Sequence, residues 1–283
     1  MTQSLLVKAE FFLEALIWKQ RACPHCGSEA WQTVARKFRV VAIQHCQNCG
    51  LFFTSPVYRP LFFSELYEKR YRGEGSTTRL PTSEELTRLR ATGFANFDKN
   101  FGDRLAAMRD YGAGCQLLEI GSSWGYFVAQ AEQYGFQAMG VELSDYRRRF
   151  GIEHLQLALF KSVAAVPRQN FDWVYTAHTL EHFTDLSTVF QDIADRLRPG
   201  GLLLLEVPNF DFFRFGTSCL SAIGAVHPLG LCSDFFRRNL PKYGFILQGF
   251  YDTWAQFPHR PQAESTGDAV ILLAQKVSEK DKL

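Results

Sequence analysis

Gln116-Leu117-Leu118-Glu119-Ile120-Gly121-Ser122-Ser123-Trp124-Gly125-Tyr126-Phe127 is the stretch on which the reading of this chain turns. A short apolar run breaks at Gly121, a second glycine follows at Gly125, and a helix-like segment from Trp124 to Tyr134 takes over. Strand, tight turn and helix in that order open a nucleotide-binding α/β unit. Gly121 lets the backbone turn without a Cβ clash, and Gly125 lets the new helix approach ligand and sheet closely. Glycines between a strand and a helix are common, so the next segment matters as much. Phe136 to Glu142 reads as a second strand that ends on an acid. Glu142 lies 21 positions after Gly121, where a ribose-binding carboxylate belongs.

At these residues the chain resembles the class I S-adenosylmethionine (SAM) dependent methyltransferases. Four pieces match in order. They are Leu118-Glu119-Ile120-Gly121 through Gly125, Gly140-Val141-Glu142, Phe171-Asp172-Trp173-Val174 running into Leu180-Glu181-His182, and Leu197-Arg198-Pro199-Gly200-Gly201 before a hydrophobic strand. The middle glycine of the family's turn is Ser123 here, a residue small enough to fit. The resemblance implies a Rossmann-like α/β fold over residues 115–283, with a seven-stranded, mostly parallel sheet and helices on both faces. It also implies SAM held over the first two strand ends by Glu119, Gly121, Ser122, Ser123, Gly125, Tyr126, Glu142, Leu143, Ala177 and His178.

The remaining pattern agrees with such a sheet. Phe171 to Tyr175 reads as a buried strand and Asp185 to Leu197 as the next helix. Gly201 to Val207 is a continuous apolar strand, as a parallel sheet covered on both faces requires. Phe245-Ile246 and Ala269 to Leu273 supply closing strands. Arg147-Arg148-Arg149, after Ser144-Asp145, reads as the solvated face of a short helix.

Upstream, Cys23-Pro24-His25-Cys26-Gly27 and Cys46-Gln47-Asn48-Cys49-Gly50 are two Cys-x-x-Cys-Gly knuckles, with 19 residues between Cys26 and Cys46. That spacing is expected of a four-cysteine zinc site. Thiolates two apart on a turn grip one edge of a tetrahedral ion, and two such turns close it. Four thiolates leave no open position, so Cys23, Cys26, Cys46 and Cys49 make a structural site. A ribbon over 23–56 is too small to fold on core burial, and metal binding on the order of 10 kcal/mol would stabilise it. Residues 57–114 read as a helical connecting lid, broken near Phe101-Gly102, with Ser83 as an N-cap. A zinc ribbon followed by a Tyr-rich segment is similar to the start of bacterial small-molecule methyltransferases, sugar C-methyltransferases among them.

The net charge of +2 predicts no strong attraction to nucleic acid or anionic lipid. Leu5 to Trp18 is apolar but interrupted by Lys8, Glu10 and Glu14, which reads as an amphipathic helix over 1–22 rather than a signal or membrane span. The expected setting is the cytoplasm, where cysteines stay reduced and free to bind metal.

Methyl transfer from a sulfonium requires alignment of the acceptor and, for most acceptors, removal of a proton. Candidates are His178, Glu181 and His182 after the fourth strand, and His227 after the fifth. The spacing of His178 and His182 would put both rings on one helical face, but no third metal ligand is evident. Similarity to the sugar enzymes implies a base at His227 and a match for Tyr71. The Tyr and Glu that precede their histidine are replaced here by Gly224, Ala225 and Val226, and their long third domain is unmatched. The expected function is SAM-dependent O- or C-methylation of a small molecule, in secondary-metabolite or sugar-derived biosynthesis, by a monomer or homodimer. A zinc-ribbon ribosomal-RNA methyltransferase is the nucleic-acid alternative. A non-catalytic interaction protein with a vestigial fold is the other, and intact Glu119, Gly121, Gly125 and Glu142 argue against it.

Overall fold

A computed structural model describes residues 22–37, 41–55, 79–167, 170–224 and 227–277. The expected N-terminal helix and Tyr71 lie outside the described residues. Among the described residues no helix is long and apolar enough to cross a membrane.

After the first knuckle, the described residues form an antiparallel hairpin, β1 (Trp31–Lys37) and β2 (Val41–Cys46), to which β3 (Phe52–Ser55) adds. Each knuckle ends on a glycine in the left-handed region, Gly27 at φ 70° and Gly50 at φ 77°, a conformation that a side chain would strain. Two helices follow, α1 (Ser83–Ala91) and α2 (Gly102–Tyr111). The break near Phe101 is where the sequence places it, but the cap of α1 is Thr82 rather than Ser83. Thr82 forms a capping box, its side chain accepting from Glu85 N while the Glu85 carboxylate takes Thr82 N.

The larger domain runs β4 (Gln116–Ile120), α3 (Tyr126–Gln133), β5 (Gln137–Val141), α4 (Asp145–Leu155), β6 (Leu159–Phe160), β7 (Phe171–Ala177), α5 (Leu186–Arg196) and β8 (Leu197–Pro208). It continues through α6 (Phe212–Phe215), β9 (Leu229–Gly230), α7 (Ser233–Asn239), β10 (Phe245–Tyr251) and β11 (Ala269–Lys276). Seven strands form one sheet in the order β10-β11-β8-β7-β4-β5-β6. Neighbours from β8 to β6 are parallel, and β11 runs antiparallel to both of its own. The expected seven-stranded, mostly parallel sheet is present. From β4 the chain winds outward through β5 and β6, then returns to lay β7 on the other flank. That reversal opens a crevice at the carboxyl ends of β4 and β7, where ligands of such sheets collect.

Side chains alternate across the sheet with period two. Leu117, Trp173, Leu202 and Leu204 meet Phe127 of α3 and Met108 of α2 on one face. Leu118, Val174, Leu203 and Leu205 meet Phe190 and Ile193 of α5 and Phe235 of α7 on the other. The second core also takes in Cys46, Cys49, Phe52 and Phe53, so the ribbon is packed into the domain.

The junction is a strand pair. β9 is antiparallel to β3, with Phe52 opposite Gly230 and Phe53 opposite Leu229, which makes the ribbon sheet four-stranded as β1-β2-β3-β9. Gly230 has no room for a side chain, because a Cβ would lie 2.6 Å from the Phe210 ring, itself 5.2 Å from the Phe52 ring centroid to centroid. Below the pair, Asn239 Nδ2 donates to Cys49 O at 2.8 Å and to Phe235 O at 2.7 Å. Asn239 is fully buried, so Asn239→Leu leaves the Cys49 carbonyl without its donor. The variant should lose about 1–3 kcal/mol in denaturant unfolding, the usual cost of an unpaired buried polar group. Wild-type stability would show that the ribbon is not held through this bond.

Candidate functional site

β4 carries Glu119 to the carboxyl edge of the sheet, and the chain turns at Gly121 with φ 88°. A Cβ on Gly121 would sit 2.0 Å from Thr179 Oγ1, so glycine alone lets the loops after β4 and β7 touch. The N–H groups of Gly121 and Ser122 donate to Val141 O at 2.8 and 2.9 Å, and Gly125 N–H donates to Ser122 O at 2.7 Å. The turn is thereby latched to the end of β5. Ser123 stands at φ 52°, a left-handed conformation that glycine adopts more readily. It is fixed there by its N–H, which donates to Glu142 Oε2 at 2.8 Å, and by Arg147 Nη1, which donates to its Oγ. Ser144 N–H reaches the other Glu142 oxygen, also at 2.8 Å.

Glu142 is buried at 2% exposure, and Leu143 beside it is exposed. A carboxylate oxygen accepts more than one hydrogen bond, so both remain competent toward a vicinal diol. Glu119 and Glu142 interact electrostatically, and Tyr126 feels both charges. Burial first, and the carboxylates second, push the Tyr126 phenol up. The turn from Gly121 to Gly125, Glu119, Tyr126 and Glu142 thus lie together at the ends of β4 and β5, with Leu143 next in the chain.

The arginine run is a correction. Arg147 is buried at 2% exposure beneath the turn, and Arg148 is half-buried with Nη1 on Glu142 O at 3.0 Å. Only Arg149 faces solvent. Because α4 starts directly beside Glu142, the position one helical turn after Ser144 points inward, and that register was the available signal.

A polar network missed by the sequence reading lies across the crevice. Glu206, near the end of β8, receives Arg104 Nη1 at 2.8 Å and Trp254 Nε1 at 3.0 Å on Oε2. The Arg104 guanidinium lies 4.2 Å from the Trp254 ring centroid and also donates to Tyr175 OH at 3.1 Å. Burial alone would raise the Glu206 pKa, but the His178 and Arg104 contacts outweigh it and hold the carboxyl below its ordinary value. Glu206 stands in a run read as continuously apolar, which is why it was passed over.

His178 follows β7 at φ 49°, donates its backbone N–H to Glu206 O at 2.8 Å and brings Nε2 to 3.7 Å from Glu206 Oε1. The Glu206 contact raises its pKa. Leu180–His182 then form a single tight turn, so the expected common helical face of His178 and His182 does not exist. His182 instead meets the ring of His227 edge-on, with centroids 4.5 Å apart. A different set, which leaves out His178, does come together: Glu181, His182 and His227 bring one ligand atom each within 4.8 Å of one another.

A family model described as "Methyltransferase domain" matches residues 83–246, more than half of the chain. The chain belongs to that family. It is 27% identical over 180 residues to a phosphoethanolamine N-methyltransferase of Triticum aestivum, covering 59% of this chain and 33% of that protein. It is 26% identical over 142 residues to a ubiquinone biosynthesis O-methyltransferase of Paramagnetospirillum magneticum (strain ATCC 700264 / AMB-1), covering 48% of this chain and 55% of that one. The chain thus spans a third to about half the length of these relatives. A SAM-dependent methyltransferase structure from Mesorhizobium loti aligns at 17% identity with a TM-score of 0.47, covering 61% of this chain and 96% of that chain.

Outside the matched span, Cys23, Cys26, Cys46 and Cys49 bring their sulfurs within 4.8 Å of one another. The closest contacts are Cys23 to Cys49 at 3.6 Å and Cys26 to Cys46 at 3.5 Å. Bonds of about 2.3 Å to a tetrahedral zinc imply sulfur separations of about 3.8 Å, so the cluster fits that ion. Burial pushes the Cys46 thiol up to about 11, and a bound cation would offset the cost of ionising it. His25, inside the first knuckle, packs on Phe235 at 5.1 Å between centroids and meets Ser187 Oγ at 3.2 Å through Nδ1. It joins the knuckle to α5 and α7.

Glu119 makes a pH test possible. It is buried at 5% exposure, with Oε2 lacking a hydrogen-bond partner among the described residues. Burial first, and the Glu142 charge second, push its carboxyl well above the ordinary range. The native chain therefore retains a proton that the unfolded chain releases at lower pH, and stability must fall as pH rises through that window. Thermal melts from about pH 5 to about pH 8 should show this decline, and Glu119→Gln should flatten it. An equal slope in both proteins would show that Glu119 ionises normally.

Proposed function

We propose that the chain is a SAM-dependent methyltransferase acting on a small-molecule acceptor, with O-methylation favoured over C-methylation. The observation that carries this reading is the clamp between the Gly121–Gly125 turn and Glu142, in which one buried carboxylate holds Ser123 N–H and Ser144 N–H. Such a clamp presents an oriented carboxylate to a ribose diol over a turn without side-chain bulk. In this reading Glu142 receives the ribose, Leu143 lies along the adenine, and Glu119 and Tyr126 line the same end. The cofactor supplies the electrophilic methyl group, and the chain's task is to align the acceptor and exclude water. The relatives' names support a small acceptor, since one is a phosphoethanolamine N-methyltransferase and another a ubiquinone biosynthesis O-methyltransferase. A near-neutral charge balance disfavours an RNA substrate, and the intact clamp disfavours a non-catalytic role. The cysteine cluster is proposed to hold one structural zinc.

Calorimetric titration with S-adenosylhomocysteine, the demethylated cofactor, tests the site, and a mass-spectrometric screen for methylated products tests the activity. Glu142→Ala should weaken binding by about 2–3 kcal/mol, the range for hydrogen bonds to a charged group. Wild-type affinity in that variant would remove Glu142 from the site. The freshly purified protein should carry about one zinc per chain, and Cys49→Ser should lose it together with ribbon stability. Retention of zinc by the variant, or none in the wild type, would end the ribbon reading.

A further inference from the structure

We infer that Glu181, His182 and His227 form a second cation site, distinct from the cysteine cluster, that binds a divalent metal at the acceptor end of the crevice. Their ligand atoms already lie within 4.8 Å of one another. Donors each about 2.1 Å from a common ion would stand about 3–3.5 Å apart, so the set closes with a contraction of at most about 1.8 Å.

The carboxylate is the decisive member. Glu181 is buried at 3% exposure, and among the described residues neither of its side-chain oxygens has a hydrogen-bond partner. His178 Nδ1 is 3.9 Å from Glu181 Oε1, beyond hydrogen-bond reach. A buried carboxylate without donors is costly, and a bound cation is one of the few partners that relieves it. His227 is held for the purpose. Its backbone O accepts from Gly224 N at 2.8 Å, and its Nδ1 lies 3.0 Å from Ala222 O. A carbonyl can only accept, so Nδ1 carries the proton and Nε2 the lone pair, the tautomer that a metal ligand needs.

Two imidazoles and one carboxylate suit Mn²⁺, Fe²⁺, Co²⁺ or Zn²⁺, and three protein ligands leave positions open for other oxygens. The site is two residues from Thr179, whose side chain abuts Gly121 of the cofactor turn. If the methyl-transfer reading holds, the open positions face the acceptor, and the class of acceptor that fits carries two adjacent oxygens, such as a catechol or an enediol. A metal would favour its ionised form. This assignment makes His227 a ligand rather than the general base that resemblance to sugar enzymes implies.

Manganese titration followed by electron paramagnetic resonance tests the site without an acceptor. Mn²⁺ is a poor competitor for four thiolates, so the cysteine cluster does not confuse the count. The whole chain should bind about one Mn²⁺ saturably, and Zn²⁺ added beyond the ribbon's share should displace it. Glu181→Gln and His227→Gln should each weaken Mn²⁺ binding by about tenfold or more, at least the loss typical of an outer-shell partner. Both should keep wild-type affinity for S-adenosylhomocysteine. Should one fail to fold, His182→Gln is read in its place. No saturable Mn²⁺ or additional Zn²⁺ in the wild type, or equal binding in the variants, overturns the site. Manganese bound through these residues by a chain that does not bind S-adenosylhomocysteine would keep the cation site and remove the methyl-transfer reading.

Discussion

The crevice depends on the buried carboxylate of Glu142. It stands at the end of β5 and accepts a hydrogen bond from Ser123 in the turn after β4 and another from Ser144 at the start of α4. Charge-assisted bonds of this kind contribute about 1.5–3 kcal/mol each. The glycine turn, the second strand end and the cap of α4 are therefore tied to one carboxylate. Arg147 extends the clamp, since its guanidinium reaches Ser123 Oγ from below. A turn fixed in this way needs little further ordering when a ligand arrives, which favours affinity.

The ribbon has a similar relation to the wall that carries His227. β3 pairs with β9, and Thr54 N donates to Pro228 O at 2.9 Å, so the segment that follows His227 is part of the ribbon's sheet. A cation in the cysteine cluster would stiffen β2, β3 and the knuckles, and through them the position of His227. The cysteine cluster therefore bears on more than a small module. It braces one wall of the candidate site. In packing, the ribbon and the larger domain share one core.

Local backbone requirements explain what was legible in the sequence. Gly121, Gly125 and Glu142 mark a strand-turn-helix whose geometry admits few other residues, and two Cys-x-x-Cys-Gly knuckles leave few alternatives to a four-sulfur cluster. The sheet could be read because its strands are buried on both faces and so nearly continuous in apolar residues. Long-range pairings could not. β9 is two residues long and has no periodicity to detect, yet it joins the ribbon to the domain. Arg104 and Glu206 meet at 2.8 Å across more than a hundred residues of chain, with no local pattern at either one. Glu181, His182 and His227 converge where the segment leading into β9, paired with the ribbon's β3, meets the turn after β7.

The Arg104–Glu206 pair also gives the helical segment before the sheet a role in the site. Arg104 lies between the Phe101 and Trp254 rings, at 4.9 and 4.2 Å from their centroids, while Glu206 ties it to the edge where His178 stands. A half-buried ion pair standing alone is weak evidence for stability, because desolvation offsets much of the attraction. Here Trp254 Nε1 and Tyr175 OH share the load, leaving the charges well partnered. Such a network favours one arrangement of α2 over its alternatives more than it adds raw stability. α2 is thereby anchored to the same carboxylate that contacts His178. The packing of the helical segment and the electrostatics around His178 are coupled through Glu206.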